Sequence, residues 1–349
     1  MDHAQTTRSS LSMTTIHDVA KLAGVASGTA SNVMAGKPGV SQAKQTAVRE
    51  AARQLNYRPS SIARALSKRQ SDMIGVLTQG FRSPFFARAV DVAEREIRLA
   101  GKHAVIASSP SQADSDWCNA EALSFLDSRD CDGILVLGCT WSERELTQVL
   151  AGRTRPIVFV NRQLTFQPEA SFTVDHYAVG HSIAEHLLRQ GHRQFAAVKG
   201  PEEHYQDASL RHKGFVNTIA AAGFPADPDL IIEGSLDFCG GKVAAERLLA
   251  IGRPFSAVCC GNDEQAIAAE AVLSSTDHPP EIFGHGGWDL LSYIATKVST
   301  VTVPIAAIVE SACASLLNKC YGGDRPVRRT FPTSLVIRRQ AGASKPAID

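Results

Sequence analysis

Asp18–Met34, DVAKLAGVASGTASNVM, holds two helical registers separated by one glycine. Ile16, Val19, Ala20, Leu22 and Ala23 line one side of a short helix from Ile16 to Ala23, and Gly24 falls where a left-handed residue ends it. Val25 then buries, and a second helix from Ser27 to Ala35 turns Ala30, Val33 and Met34 inward. Helices meeting at a steep angle need a small residue at the crossing, which Ala20 supplies, so the stretch predicts a helix-turn-helix. The next break is GKPGVSQ, Gly36–Gln42. Ser41 is a suitable N-cap for a third helix to about Asn56, with Ala43, Ala47, Val48, Ala51, Ala52 and Leu55 as its apolar positions.

The chain of 349 residues is long enough for two or three folded units. Its apolar runs, such as Gly133–Leu137, are strand-length, so no membrane span is expected. Residues 1–12 read as a disordered polar extension without the apolar core of a signal peptide, and Met13 offers an alternative start. All eight cysteines lie at or beyond Cys118 with no metal-ligand spacing, which fits reduced, mostly buried thiols in the cytoplasm and no metal or other cofactor. A net charge of +1 conceals a division: residues 13–70 hold nine Lys and Arg against Asp18 and Glu50, a net +7, and the remainder is acidic. Charge alone fits polyanion binding and a solvated basic face equally. The helix-turn-helix favours the former.

TIHDVAKLAGVASGTASNVM (15–34) and VSQAKQTAVREAARQLNYRPSSIARALS (40–67) resemble the headpiece and hinge of the LacI family of bacterial transcription regulators. The resemblance implies a repressor that binds near-palindromic double-stranded operator DNA as a homodimer. It places Ser27, Gly28 and Asn32 of the second helix at base edges in the major groove, where Asn32 can pair bidentately with adenine. Thr29 and Ser31 fall where phosphate oxygens are held. Gly28 has no side chain with which to read a base, so direct readout is thin. Pro59 opens SSIARALS, too short to be a stable helix alone. In the family two such hinges pair in the minor groove, which puts Ala63 there and makes Leu66 the wedge that kinks the duplex.

From Asp72 onward DMIGVLT, HAVIAS, DGILVLG, PIVFVN, QFAAVKG, SAVCCG and EIFGH alternate with helical stretches such as Phe85–Ala100, His176–Gln190 and Asp263–Ser275. Such alternation implies parallel sheets covered by helices. About nine strands are too many for one compact sheet of this length, so the expected fold is a small all-α domain followed by a two-lobed α/β body resembling periplasmic sugar-binding proteins. The expected divisions are a helix-turn-helix domain over 13–58, hinge and linker over 59–71, and an effector-binding and dimerisation domain over 72–340. Its first lobe is about 72–174 and 303–329, and its second about 175–302 and 330–340. The three crossings then fall near Asp175, Val303 and Thr330, and 341–349 is a tail without leucine heptads.

A cleft between hinged lobes is a natural small-molecule site. Resemblance places Phe85 and Phe86 of SPFFARAV at its edge, although Phe86 equally suits the core. It makes Arg211 of DASLRHKGF the main effector ligand, and in CCGNDEQAIAAEAV it turns Asn262 to the ligand and leaves Asp263 as helix N-cap. Where the family carries Gly-aromatic-Asp-Asp, this chain reads FGHGGWDLLSY, with Gly286 in place of the first acid. Trp288 and Asp289 could supply an aromatic wall and a hydroxyl acceptor from a shifted position, or Trp288 could belong to a dimer interface. Loss of a carboxylate near Arg211 would favour a sugar acid or sugar phosphate over a neutral sugar. Enzyme chemistry finds no support: GxSxG, GxxxxGK[ST] and HExxH are absent, and no GxGxxG follows the first strand. His176, His181 and His186 step about 140° round a helix and do not converge, and Cys259 and Cys260 sit in an apolar strand.

Overall fold

The computed structural model describes residues 14–57, 70–109, 115–201 and 206–338. Contacts divide the chain into two compact units that meet between Ser71 and Asp72.

The first unit is three helices, α1 (Ile16–Leu22), α2 (Ser27–Met34) and α3 (Gln42–Gln54), around Val19, Ala20, Ala30, Val33, Val48, Ala51 and Ala52. Gly24 makes the turn at φ +64°. The expected apolar faces are wider than the buried ones, because three short helices enclose only a small core. Leu22 is half exposed, and Ala43 and Ala47 face solvent. Helix α3 ends earlier than expected, at Gln54, with Asn56 in the left-handed region. Ser41 occupies the N-cap position of α3 without capping it, whereas Thr15 and Asp18 form a reciprocal capping box on α1.

The second unit contains two parallel sheets. The first joins β1 (Met73–Thr78), β2 (His103–Ser108), β3 (Gly133–Leu137), β4 (Ile157–Val160) and β5 (Ser171–Phe172) in the order β2-β1-β3-β4-β5. Helices α4 (Pro84–Leu99) and α11 (Ile305–Tyr321) cover one face, and α5 (Ser115–Ser128) and α6 (Glu143–Leu150) cover the other. The second sheet joins β6 (Phe195–Lys199), β7 (Ile231–Glu233), β8 (Ala257–Cys260) and β9 (Glu281–Phe283) in the order β7-β6-β8-β9. Helices α7 (His176–Arg189) and α8 (Gln206–Ala221) lie on one face, and α9 (Phe238–Ile251) and α10 (Asp263–Leu273) on the other. Strands buried on both faces carry near-continuous apolar runs, and all five residues of β3 are buried. All seven strands expected from the sequence form.

The chain passes between the sheets three times: after β5, after β10 (Thr300–Thr302), and before β11 (Ser334–Val336), which pairs antiparallel with β10. Val174, Val303 and Phe331 sit at these passages and are buried in one core that runs from Ile74 and Leu135 of the first sheet to Phe195 and Phe283 of the second. The two lobes therefore share apolar packing at the pivot, while their strand ends are left free to form a cleft.

Candidate functional site

In the first unit, Ser31 and Asn32 are exposed on α2, Gly28 is exposed one turn before Asn32, and Ser27 and Thr29 are half-buried. Ser27 Oγ lies 2.9 Å from His17 Nδ1, so this hydroxyl is shared with α1. A Cβ at Gly28 would meet nothing within 4 Å. The site is therefore open by composition and not closed by packing. Gly28→Ala is expected to stabilise α2 by about 0.5–1 kcal/mol, because alanine loses less backbone freedom in a helix. Slower amide hydrogen exchange from Gly28 to Met34 would show it, and faster exchange would contradict it. Ala63 and Leu66 lie outside the described residues.

In the second unit a cavity of about 600 Å³ lies between the lobes. It is built from the carboxyl ends of parallel strands, where α/β sheets gather ligands. Gln79 follows β1, Ser108 ends β2, Gly138 follows β3 and Asn161 follows β4. From the other sheet, Pro201, Ser235, Asn262 and His285 follow β6, β7, β8 and β9. Phe85 and Phe86 begin α4 and line the cavity edge to face, 5.4 Å between centroids. Gly138 is obligatory here: it sits at φ +70°, and a Cβ would stand 2.7 Å from the Phe86 ring.

Arg211 forms the floor. Its Nη1 donates to Asp207 Oδ2 at 3.0 Å and lies 3.0 Å from His176 Nδ1, while Nη2 donates to Gly261 O at 2.9 Å. Asn161 Nδ2 donates to the same Asp207 oxygen at 3.0 Å. His176 Nε2 lies 3.0 Å from Thr173 Oγ1, so the network assigns a neutral imidazole that accepts at Nδ1 and donates at Nε2. Burial, reinforced by the Arg211 charge, pushes this histidine down to about 3. Burial is the strongest single influence and raises the Asp207 carboxyl, but the Arg211 charge, neighbouring His176 and the hydrogen bonds from Arg211 and Asn161 together hold the group below the usual carboxylate range. His285, also buried and close to Arg211, is pushed well below the ordinary histidine value and is neutral.

Among the described residues, three that line the cavity carry a buried side-chain atom without a hydrogen-bond partner: Asn161 Oδ1, Arg211 Nε and His285 Nε2. Buried polar atoms are ordinarily paired, so an acceptor, a donor and an imidazole nitrogen around one cavity mark where a polar ligand would bind. Asn161 is further held at φ +57°, an uncommon conformation that keeps it at the strand end. Across the cleft, Ser83 Oγ at the start of α4 donates to Glu264 Oε1 of α10 at 2.7 Å. Burial raises the Glu264 carboxyl.

Several expectations are corrected. Asn262, and not Asp263, caps α10: its Oδ1 accepts from Gln265 N and its Nδ2 donates to Leu236 O, both at 2.9 Å. Asn262 still lines the cavity, but with its side chain engaged. Asp263 is buried one residue later and accepts from Trp288 N at 2.9 Å and Thr300 Oγ1 at 2.6 Å, fixing the loop after β9. Trp288 and Asp289 do not line the cavity. Trp288 backs Phe238, 6.3 Å between ring centroids, and Asp289 is exposed at the start of a 3₁₀ turn. Gly286 takes φ +134° and the carboxylate facing it is Asp263, while Arg211 has its own carboxylate partner in Asp207, so a missing acid at Gly286 does not leave Arg211 uncompensated. His176, His181 and His186 do not converge, yet His176 does reach the floor. Sequence reasoning passed over Asp207, Asn161, His285 and Glu264. The spacing of Asp207 four residues before Arg211 on one helix was the available signal for the first. The Cys259 thiol, pushed up to about 12 by burial, is no nucleophile.

Residues 15–60 match the family of bacterial regulatory proteins of the lacI type, and residues 71–288 match the periplasmic binding proteins and sugar binding domain of LacI family. The chain is 28% identical to the HTH-type transcriptional regulator GalR of Escherichia coli K12 over 344 residues, 97% of this chain and 98% of GalR. Its fold superposes on the lac repressor dimer bound to operator and an anti-inducer with a TM-score of 0.82 at 22% identity, covering 94% of this chain and 98% of that one. A transcriptional regulator CelR in complex with cellobiose superposes with a TM-score of 0.67 at 25% identity, covering 93% and 99%.

Proposed function

The chain belongs to the LacI family of DNA-binding transcription regulators, and from that premise we propose that it is a homodimeric repressor whose operator affinity is set by a neutral, polyhydroxylated effector held between the lobes. Two α2 helices enter successive major grooves of a near-palindromic site. Hinge residues Ala63 and Leu66 enter the minor groove between them, so that deformability of the duplex supplies specificity that Gly28 cannot.

The observation that carries the effector class is the charge balance of the floor. Arg211 is already paired with Asp207, while the three unpartnered atoms offer one acceptor, one donor and one neutral imidazole nitrogen. A ring of hydroxyl groups satisfies all three without bringing charge into a low-dielectric cleft. An acid or phosphate would have to displace Asp207 or be buried beside it and Glu264. Effector and operator then act on each other through a coupling of about 1–3 kcal/mol, reciprocal between the two sites.

Thermal-shift titration with neutral mono- and disaccharides, set against the corresponding aldonic acids and sugar phosphates, tests this reading. A neutral sugar is expected to raise the melting temperature; a response to acids or phosphates alone would overturn it. Operator selection from random duplex DNA tests the other end. Asn32→Ala is expected to relax preference at one base position of each half-site, at a cost of about 1–3 kcal/mol in discrimination, and unchanged selection would remove Asn32 from the readout.

A further inference from the structure

Four side chains from four separate elements meet where the chain enters the second unit. Asp72, the residue before β1, adopts φ +58°, a left-handed conformation that aspartate tolerates better than most non-glycine residues. Its backbone N–H donates to Asp132 Oδ2 at 2.8 Å, and its carbonyl accepts from His103 N at 2.9 Å. Its carboxylate is ion-paired with Lys102, which precedes β2. The Lys102 ammonium also lies 3.8 Å from the centroid of the Tyr321 ring. The Tyr321 hydroxyl in turn donates to the same Asp132 oxygen at 2.6 Å. Burial and the neighbouring Asp132 raise the phenol, which keeps it a donor. The neighbouring Cys320 thiol reaches Asp132 O at 3.4 Å.

Tyr321 is the last residue of α11, whose seventeen residues span about 25 Å. At the other end this helix begins at Ile305 behind its N-cap Pro304, which directly follows Val303 in the second passage between the lobes. One rigid element therefore runs from the pivot of the cleft to the base of the linker.

We propose that Asp72, Lys102, Asp132 and Tyr321 form a linker anchor that holds the chain in one direction as it enters the first lobe, with Tyr321 as the positioning residue that ties this direction to α11. The inference rests on the DNA-binding reading above. A linker released from the anchor samples many directions, and the fraction of molecules competent for a two-headed operator falls accordingly.

The test uses the full chain and the duplex that the wild-type protein enriches from random DNA. Tyr321→Phe, Lys102→Met and Asp72→Gly are expected each to weaken binding to that duplex about tenfold by fluorescence anisotropy while the melting temperature stays within a few degrees of wild type. Lys102→Arg keeps a cation over the ring and is expected to restore binding. Arg88→Met, which removes an exposed ion pair with Asp91 on α4, is the control expected to change neither quantity. Binding within twofold of wild type in the three anchor variants would overturn the proposal. So would losses that Lys102→Arg shares, or that track the melting temperature. A wild-type protein that enriches no duplex would overturn the DNA-binding reading itself, a result seen before any variant is made.

Discussion

Arg211→Ala is expected to abolish effector binding and to lower the melting temperature of the second unit by roughly 6–12 °C. Removing one member of a buried ion pair leaves the other charge without its partner, which costs about 3–5 kcal/mol. The lower end applies here, because the Asp207 side chain retains 18% exposure and keeps a hydrogen bond from Asn161 Nδ2. At about 2–4 °C per kcal/mol for a unit of this size, that loss gives the stated shift. Asp207→Asn should cost less, since Arg211 retains Gly261 O and His176, and the double variant should be more stable than the sum of the two losses. The pH dependence has a definite sign. Arg211 helps to hold the Asp207 carboxyl below its ordinary value, and without that charge burial is opposed mainly by the remaining Asn161 hydrogen bond, so the value rises. The folded Arg211→Ala protein then takes up a proton that the unfolded chain has not yet bound, so its deficit relative to wild type should shrink from pH 7.5 to pH 5. A deficit that is constant across that range, or a variant melting within two degrees of wild type, would show that the pair is not what holds the floor together.

What could be read in the sequence follows element length and locality. Gly24 was legible because a single residue type satisfies the turn between α1 and α2. The seven longer apolar runs were legible because a parallel strand covered on both faces leaves no polar alternation to confuse. Strands β5, β7, β10 and β11 were not: they are two or three residues long, no longer than β9, and pairing with a neighbour brought in by the fold is what makes them strands. The same distinction separates the site residues. Arg211 stood out in a local segment, whereas the loop after β9 is set by Asp263 reaching Trp288 N and Thr300 Oγ1, contacts 25 and 37 residues away. Gly286 in place of an acid therefore pointed to an anionic ligand only so long as Asp207 was out of view.

Gly180→Ala should be among the most damaging single substitutions in the second lobe. On helix propensity alone it should stabilise α7 by about 1 kcal/mol, just as Gly28→Ala should stabilise α2. Tertiary packing reverses the sign. A Cβ at Gly180 would stand 1.9 Å from Arg211 O and 2.8 Å from Phe215 N, and the facing Gly214 would place its own 2.1 Å from Tyr177 O. These are backbone atoms, so no side chain can swing aside, and α7 and α8 must separate by more than an ångström. Overpacking of a well-filled core typically costs about 1–3 kcal/mol, and a helix pair in backbone contact belongs at or above the top of that range. The separation also moves Arg211, because the carbonyl pushed by the new methyl is its own. With α7 carrying His176 and α8 carrying Asp207 and Arg211, the 3.0 Å contact between His176 and Arg211 cannot survive. Gly180→Ala is therefore expected to melt lower than wild type and to lose effector binding even where it remains folded, whereas Gly28→Ala retains it. A Gly180→Ala protein that melts at or above wild type would mean that the two helices do not approach this closely, and the floor of the cleft would need another support.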